Sequence, residues 1–187
     1  MYRQQSPDEP TPAVRWLPYQ LNPDIPAEGM SRQAYVERKF GPGGARNYAR
    51  VEGVGKEVGI PFAFDAITVQ PNTLEAHRLM HYATRAGQED AVAESLFRGY
   101  FEEGAVLTDI DVLTQIGARA GLDEAPLRAY LASAEDRDLI QAQDVQARQA
   151  GIGGVPFFIF NRKVAVSGAH EPETLLAAMK QALEGDG

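Results

Sequence analysis

The string GIGGVPFFIFNRKVAVSGA, residues 151–169, constrains the chain more than any other stretch. It is where the hydrophobic period changes. Residues 156–160 are an apolar run too short for a helix, and 163–167 form a second short run rich in valine, so each reads as a strand. Asn161 and Arg162 make the turn between them, and the two strands are expected to pair as a hairpin. Pro172 suits the first turn of a final helix reaching about Leu183, with Leu175, Leu176, Met179 and Leu183 on one face. Ahead of the hairpin, Gly153 and Gly154 suit a tight backbone approach or a positive φ. The Val155–Pro156 bond can be cis, which X–Pro bonds permit at modest cost. The alternative is a trans proline that simply opens an edge strand. In the cis reading the backbone groups beside Pro156 stand outside the sheet's pairing, where an extended peptide or thiol ligand can meet them.

Upstream the period is helical almost throughout. Residues 14–21 (VRWLPYQL) read as a strand, with Pro18 favouring its edge or end. A Pro-, Asn- and Gly-bearing loop follows. Ser31 then suits the N-cap of a helix carrying Tyr35, Val36 and Phe40, which Gly41, Pro42, Gly43 and Gly44 break. A second helix is expected over 45–58, and 62–69 as a short strand or an extended connection. Asn72 and Glu75 have capping-box spacing at the head of a helix with Leu74, His77, Leu79, Met80 and Tyr82. Helices over 89–101, from Asp109 to Gly121, over 123–133 and over 134–150 complete the run. Val92, Leu96, Phe97, Tyr100 and Phe101 form the stripe of the first of these. The order strand, helices, hairpin, helix predicts a sheet domain with a helical domain inserted into its connection.

Composition narrows the chemistry. There is no cysteine, which excludes disulfides, thiolate zinc sites and cysteine nucleophiles. The net charge is −8 and the pI about 4.9. An acidic surface repels phosphate backbones and anionic lipid, so neither nucleic acid nor a membrane is an expected partner. No stretch approaches about 18 consecutive apolar residues. The opening MYRQQSPDEPTP is polar and has no apolar signal region, so a cytoplasmic protein is expected. His77 and His81 share a helix face, but Arg78 stands where an H-E-x-x-H motif needs glutamate, so no metal site is expected. Gly41, Gly43 and Gly44 lack the G-K-[ST] of a phosphate loop. Ser167 and His170 make a weak candidate pair across a Gly-Ala turn. Glu102 and Glu103 read as solvating a helix end, and Asp65 has no evident partner.

The 151–169 string resembles the C-terminal motif of thioredoxin-fold proteins, G-[IV]-x-G-[VT]-P followed by an apolar hairpin and a helix. With QLNPDIPAEGM (20–30), PNTLEAHRLMHYA (71–83) and LFRGYFEEGAVLTDIDVL (96–113), the chain resembles, in order, the DsbA-family branch. That branch holds FrnE-like oxidoreductases and 2-hydroxychromene-2-carboxylate isomerases. The resemblance implies an α/β thioredoxin-like fold, incomplete at the N-terminus, with a large all-helical insertion. Residues 1–28 and 151–187 would form the thioredoxin-like domain and 29–150 the helical one. It also implies a cis-Pro loop at Val155 and Pro156, so Gly154, Val155 and Pro156 are the expected substrate-binding residues.

In that family a C-x-x-C motif, or a serine in the isomerase branch, lies between a first strand and helix. No position before Val14 matches it, so no catalytic residue is assigned. MYRQQS would be only the last turn of that first helix. The family's first strand lies inside the sheet. Three outcomes are open: a longer protein begins upstream of Met1, another chain or swapping supplies the strand, or 14–21 pairs directly with 157–160. The first is favoured. The functions that follow are a DsbA/FrnE-like oxidoreductase family member, redox-inactive as this cysteine-free chain; a glutathione-dependent isomerase; or a non-catalytic binding module. In the module Phe97, Tyr100, Phe101 and Tyr130 would line a groove or simply form core. The residues themselves call for no cofactor, and the isomerase branch brings glutathione. The expected partner is a thiol or peptide substrate, with a homodimer as an alternative to the monomer.

Overall fold

The computed structural model describes residues 12–41, 44 and 46–184. The polar lead-in MYRQQS, the Pro42-Gly43 break and the expected helix start at 45 lie outside them. The chain divides into two compact units, Asn22–Ala142 and Met1–Leu21 with Gln143–Gly187. The division falls ahead of the expected boundaries after 28 and after 150.

In the first unit, a turn closed by Gly29 leads into β1 (Met30–Ser31), which pairs antiparallel with β2 (Val69–Gln70), Met30 opposite Gln70. The Ser31 hydroxyl accepts from the Ala34 N–H at 3.4 Å and starts α1 (Arg32–Phe40). α2 (Arg46–Glu57) follows. Residues 62–69 are a 3₁₀ turn, Phe64–Ala66, leading into β2. Phe64 is buried there because its ring stacks on Phe62 at 5.0 Å and meets Phe101 edge-on at 6.2 Å.

Four helices form the core of this unit: α3 (Leu74–Arg85), α4 (Glu89–Phe101), α5 (Ile110–Arg119) and α6 (Glu124–Ala132). Leu79, Val92, Leu113, Leu127 and Leu131 are wholly buried where they meet. Each contributes about 1.5–3 kcal/mol of burial. Asp109 caps α5, its carboxylate accepting from the Asp111 N–H at 2.7 Å and the Val112 N–H at 3.4 Å.

Two local expectations fail here for physical reasons. Asn72 is not the N-cap of α3, which is Thr73. Instead its amide donates to the Ile25 carbonyl at 2.7 Å while its oxygen accepts from the Leu74 N–H at 3.0 Å. Asn72 thus ties the preceding loop to the helix, and Glu75 is left free to pair with arginines. On α4, Phe97 faces outward at 52% exposure while Val92, Leu96 and Tyr100 face inward. Gly99 joins the inner face, where Ile116 packs over it.

The least expected core residue is Arg78, which has no exposed surface. Its guanidinium donates to the carbonyls of Tyr130 (2.7 Å), Leu131 (3.0 Å) and Glu135 (2.8 Å) and pairs with Glu75. The Tyr130 ring lies 4.7 Å away. Those carbonyls belong to the C-terminal turn of α6 and the loop after it, past the reach of the helix's own i→i−4 bonds; that of Tyr130 also accepts from the Ser133 N–H and hydroxyl. Arg78 is therefore a long-range C-cap.

In the second unit, β3 (Phe157–Phe160) and β4 (Val164–Ser167) form the expected antiparallel hairpin, Phe157 opposite Ser167. Asn161 and Arg162 both have positive φ, the signature of a type I′ turn, closed by the Lys163 N–H on the Phe160 carbonyl at 2.9 Å. α8 (Pro172–Leu183) packs on the hairpin through a face that buries Leu176, Ala178 and Ala182.

Residues 14–21 are not a strand, and among the described residues β3 pairs with β4 alone, so the expected 14–21/157–160 pairing is absent. The segment's end is held by side chains of α7 (Arg137–Gln149) instead. The Gln20 N–H donates to Asp144 at 2.7 Å, and Arg148 donates to the Gln20 carbonyl and, at 3.2 Å, to the Tyr19 hydroxyl. Asp144 and Arg148 also pair with each other at 3.0 Å. At Gln20 the bracket supplies both hydrogen bonds that a neighbouring strand would otherwise give. Asp144→Ala removes the acceptor, and hydrogen exchange at the Gln20 amide is expected to speed up by about tenfold or more. An unchanged rate would mean that the bracket does not hold the segment.

Candidate functional site

The loop between α7 and β3 carries the expected binding residues. Gly151, at φ 85°, ends α7 in a Schellman motif: its N–H donates to the Arg148 carbonyl and the Ile152 N–H to the Ala147 carbonyl. The chain then runs 152–156 into β3. The Val155–Pro156 peptide bond is cis. At the far end Gly168, at φ 91°, ends β4, and its N–H donates to the Pro156 carbonyl at 2.9 Å. The hairpin ladder thus extends one step beyond Phe157–Ser167, and the Pro156 acceptor is used by the chain itself.

The residues just before it differ. Among the described residues no hydrogen bond engages the backbone of Gly153, Gly154 or Val155. Val155 is 45% exposed and Pro156 is exposed. Gly153 and Gly154 were expected to supply a positive φ or a close approach. They have neither: their φ angles are not positive, and among the described residues no atom lies within 4 Å of where a Cβ would stand. Nothing in the chain's own conformation or packing requires glycine at either position. Their backbone donors and acceptors have no partner among the described residues, and the missing side chains leave room for something to approach them.

The other candidates resolve into structural roles. His170 Nε2 meets the Ser167 carbonyl oxygen at 3.0 Å, so the histidine is bonded to main chain and not to the serine hydroxyl. His81 Nε2 lies 3.2 Å from an Arg85 nitrogen and 3.6 Å from Asp136. Among the described residues no three histidine or carboxylate side chains gather as a metal site. Asp65 is exposed on the 3₁₀ turn, and Glu103 pairs with Arg119 at 3.2 Å beyond the end of α4. Tyr100 and Tyr130 are core. Burial pushes both phenols up to about 12, helped at Tyr130 by its hydrogen bond to Asp136, so neither exchanges a proton near neutrality. Arg78 and the Asp144–Arg148 bracket went unseen in the sequence, because a charged residue at one helical position gives no sign of being turned inward.

Among the described residues no helix is long and apolar enough to cross a membrane. The sequence matches the family model of the DsbA-like thioredoxin domain over residues 2–180. It is 25% identical over 157 residues to YwbO, an uncharacterized protein of Bacillus subtilis, covering 81% of this chain and 73% of that protein. A crystal structure described as a probable DsbA oxidoreductase of Streptomyces coelicolor superposes with a TM-score of 0.80 at 28% identity, covering 90% of this chain and 74% of the other. The hairpin, the helix after it and the helical segment that precedes them are accordingly parts of one known α/β fold, and this cysteine-free chain belongs to the family of DsbA-like thioredoxin domains.

Proposed function

We propose that this chain binds an extended peptide, or a thiol-bearing segment, along the backbone of residues 153–155, and that as a cysteine-free chain it does not exchange disulfides itself. The observation that carries the reading is the main chain at Gly153, Gly154 and Val155, unbonded among the described residues and exposed at Gly153 and Val155, with two glycines whose Cβ positions are open. An extended peptide offers donors and acceptors that match such a backbone. Disulfide exchange needs a thiolate to attack sulfur, and with no cysteine there is none. The finer placement in the FrnE-like branch belongs to the same proposal and rests on the motifs at 20–30, 71–83, 96–113 and 151–169.

A second reading keeps the same surface. Glutathione is itself an extended peptide with a thiol, so a glutathione-dependent isomerase does not require protein cysteines. Calorimetry with glutathione tests this second reading: it requires binding that Gly154→Ala weakens, and no binding of glutathione rules it out while leaving the peptide reading standing. For the proposal as stated, the chain is expected to leave the rate of insulin reduction by dithiothreitol at the uncatalysed level. Acceleration by this chain would overturn it.

A further inference from the structure

A second site lies on the helical unit, at the buried ring of Tyr35 on α1. Tyr35 is 4% exposed. Three cations surround its ring: the Arg32 guanidinium carbon at 5.6 Å, that of Arg38 at 5.9 Å and Lys39 Nζ at 5.4 Å from the centroid. Arg32 is fixed in place, 4.7 Å over the Tyr48 ring and bonded to the Gln70 side chain. The Tyr35 hydroxyl receives one hydrogen bond from Lys39 at 3.1 Å and another from the Asn22 amide at 3.4 Å. Both fill its lone pairs, and its own proton has no acceptor among the described residues.

The charge around this ring is not balanced from within. The chain has 26 carboxylates against 18 lysines and arginines, and every arginine from 78 to 148 pairs with one. Among the described residues neither Arg32, Arg38 nor Lys39 does. The carboxylate of α1 itself, Glu37, is exposed and accepts from Gln33 at 3.1 Å. Burial alone raises a phenol's pKa, yet the hydrogen bonds from Lys39 and Asn22 and the charges of Lys39 and Arg32 outweigh it and hold the Tyr35 phenol below its ordinary value. The local field therefore favours negative charge at this oxygen.

We propose that Arg38, Lys39 and the Tyr35 hydroxyl, with Arg32 and Asn22 behind them, form a binding site for a small oxyanion, a carboxylate or a phosphate group. The site presents donors only: an ammonium, guanidinium groups and a phenol proton in need of an acceptor. An oxyanion is the acceptor-only partner that such a set matches. The site is separate from the 153–155 backbone, and neither proposal depends on the other.

The test is calorimetric titration of the whole chain with inorganic phosphate and, separately, with acetate. Saturable binding of phosphate alone identifies a phosphate site, of acetate alone a carboxylate site, and of both a general oxyanion site. Arg38→Gln with Lys39→Gln is expected to weaken binding by about tenfold or more, and Tyr35→Phe to weaken it while the chain still unfolds cooperatively. Lys180→Gln, which removes one positive charge on α8, serves as the control and is expected to change nothing. No saturable binding of either anion, or equal weakening by Lys180→Gln, overturns the proposal.

Discussion

Arg78→Met will cost the helical unit about 3–5 kcal/mol, more than a typical core truncation, although methionine matches arginine's bulk and is the more apolar residue. The reason lies in what the guanidinium leaves behind. The carbonyls of Leu131, which is buried, and Glu135 lose a charged donor, while that of Tyr130 keeps the Ser133 N–H and hydroxyl. Each buried group left without a partner costs about 1–3 kcal/mol. Glu75, whose side chain is 17% exposed, keeps Arg137 at 3.0 Å and so is not stranded. The loss is therefore assigned mainly to the end of α6. Urea unfolding of Arg78→Met and Glu75→Gln checks this: the midpoint drops sharply in the first and modestly in the second. Equal drops would move the importance from the carbonyls to the ion pair.

Gly104→Ala will cost about 2–5 kcal/mol, an unusual amount for adding one methyl group in a loop. Gly104 has φ 70°, which a side chain adopts only at about 1–2 kcal/mol. A Cβ there would also overlap the backbone carbonyl of Ala66 and come within 2.8 Å of the Ala66 Cβ. Backbone cannot swing aside as a flexible side chain can. The 3₁₀ turn at Phe64–Ala66 would have to move, and with it the aromatic cluster around Phe64. Gly121→Ala supplies the comparison. Gly121 has φ 97° but among the described residues only the Gln88 side chain lies near, at 4.0 Å, so it isolates the conformational cost. If the two variants unfold at the same denaturant concentration, the close approach to Ala66 contributes nothing.

The hairpin and the final helix were legible because their signals are local: a four-residue apolar run, a turn dipeptide, and a proline at a helix start. Most helices were legible to within a few residues for the same reason. Residues 14–21 were misread because β propensity describes a side-chain preference, while a strand requires a neighbour to pair with, and none is present among the described residues. Asn72 was misread as a cap because its oxygen bonds the right helix turn from one position too early. The roles of Arg78 and Asp144 depend on partners 52 and 124 positions away in the chain, and no window along the sequence contains both ends. At the candidate site the sequence drew attention to the right loop for a partly wrong reason. What sets Gly153 and Gly154 apart is open space at the Cβ together with main chain that no hydrogen bond engages among the described residues, which only coordinates reveal.

The most direct measurement is the amide spectrum of the chain during titration with a flexible, cysteine-free apolar peptide. Saturable shifts centred on Gly153, Gly154 and Val155 are expected, and Gly153→Ala with Gly154→Ala should weaken the peptide about tenfold while leaving the unfolding midpoint within about 0.5 kcal/mol of the parent. A peptide that leaves those three amides unmoved, or that binds the alanine variant equally well, would contradict the account.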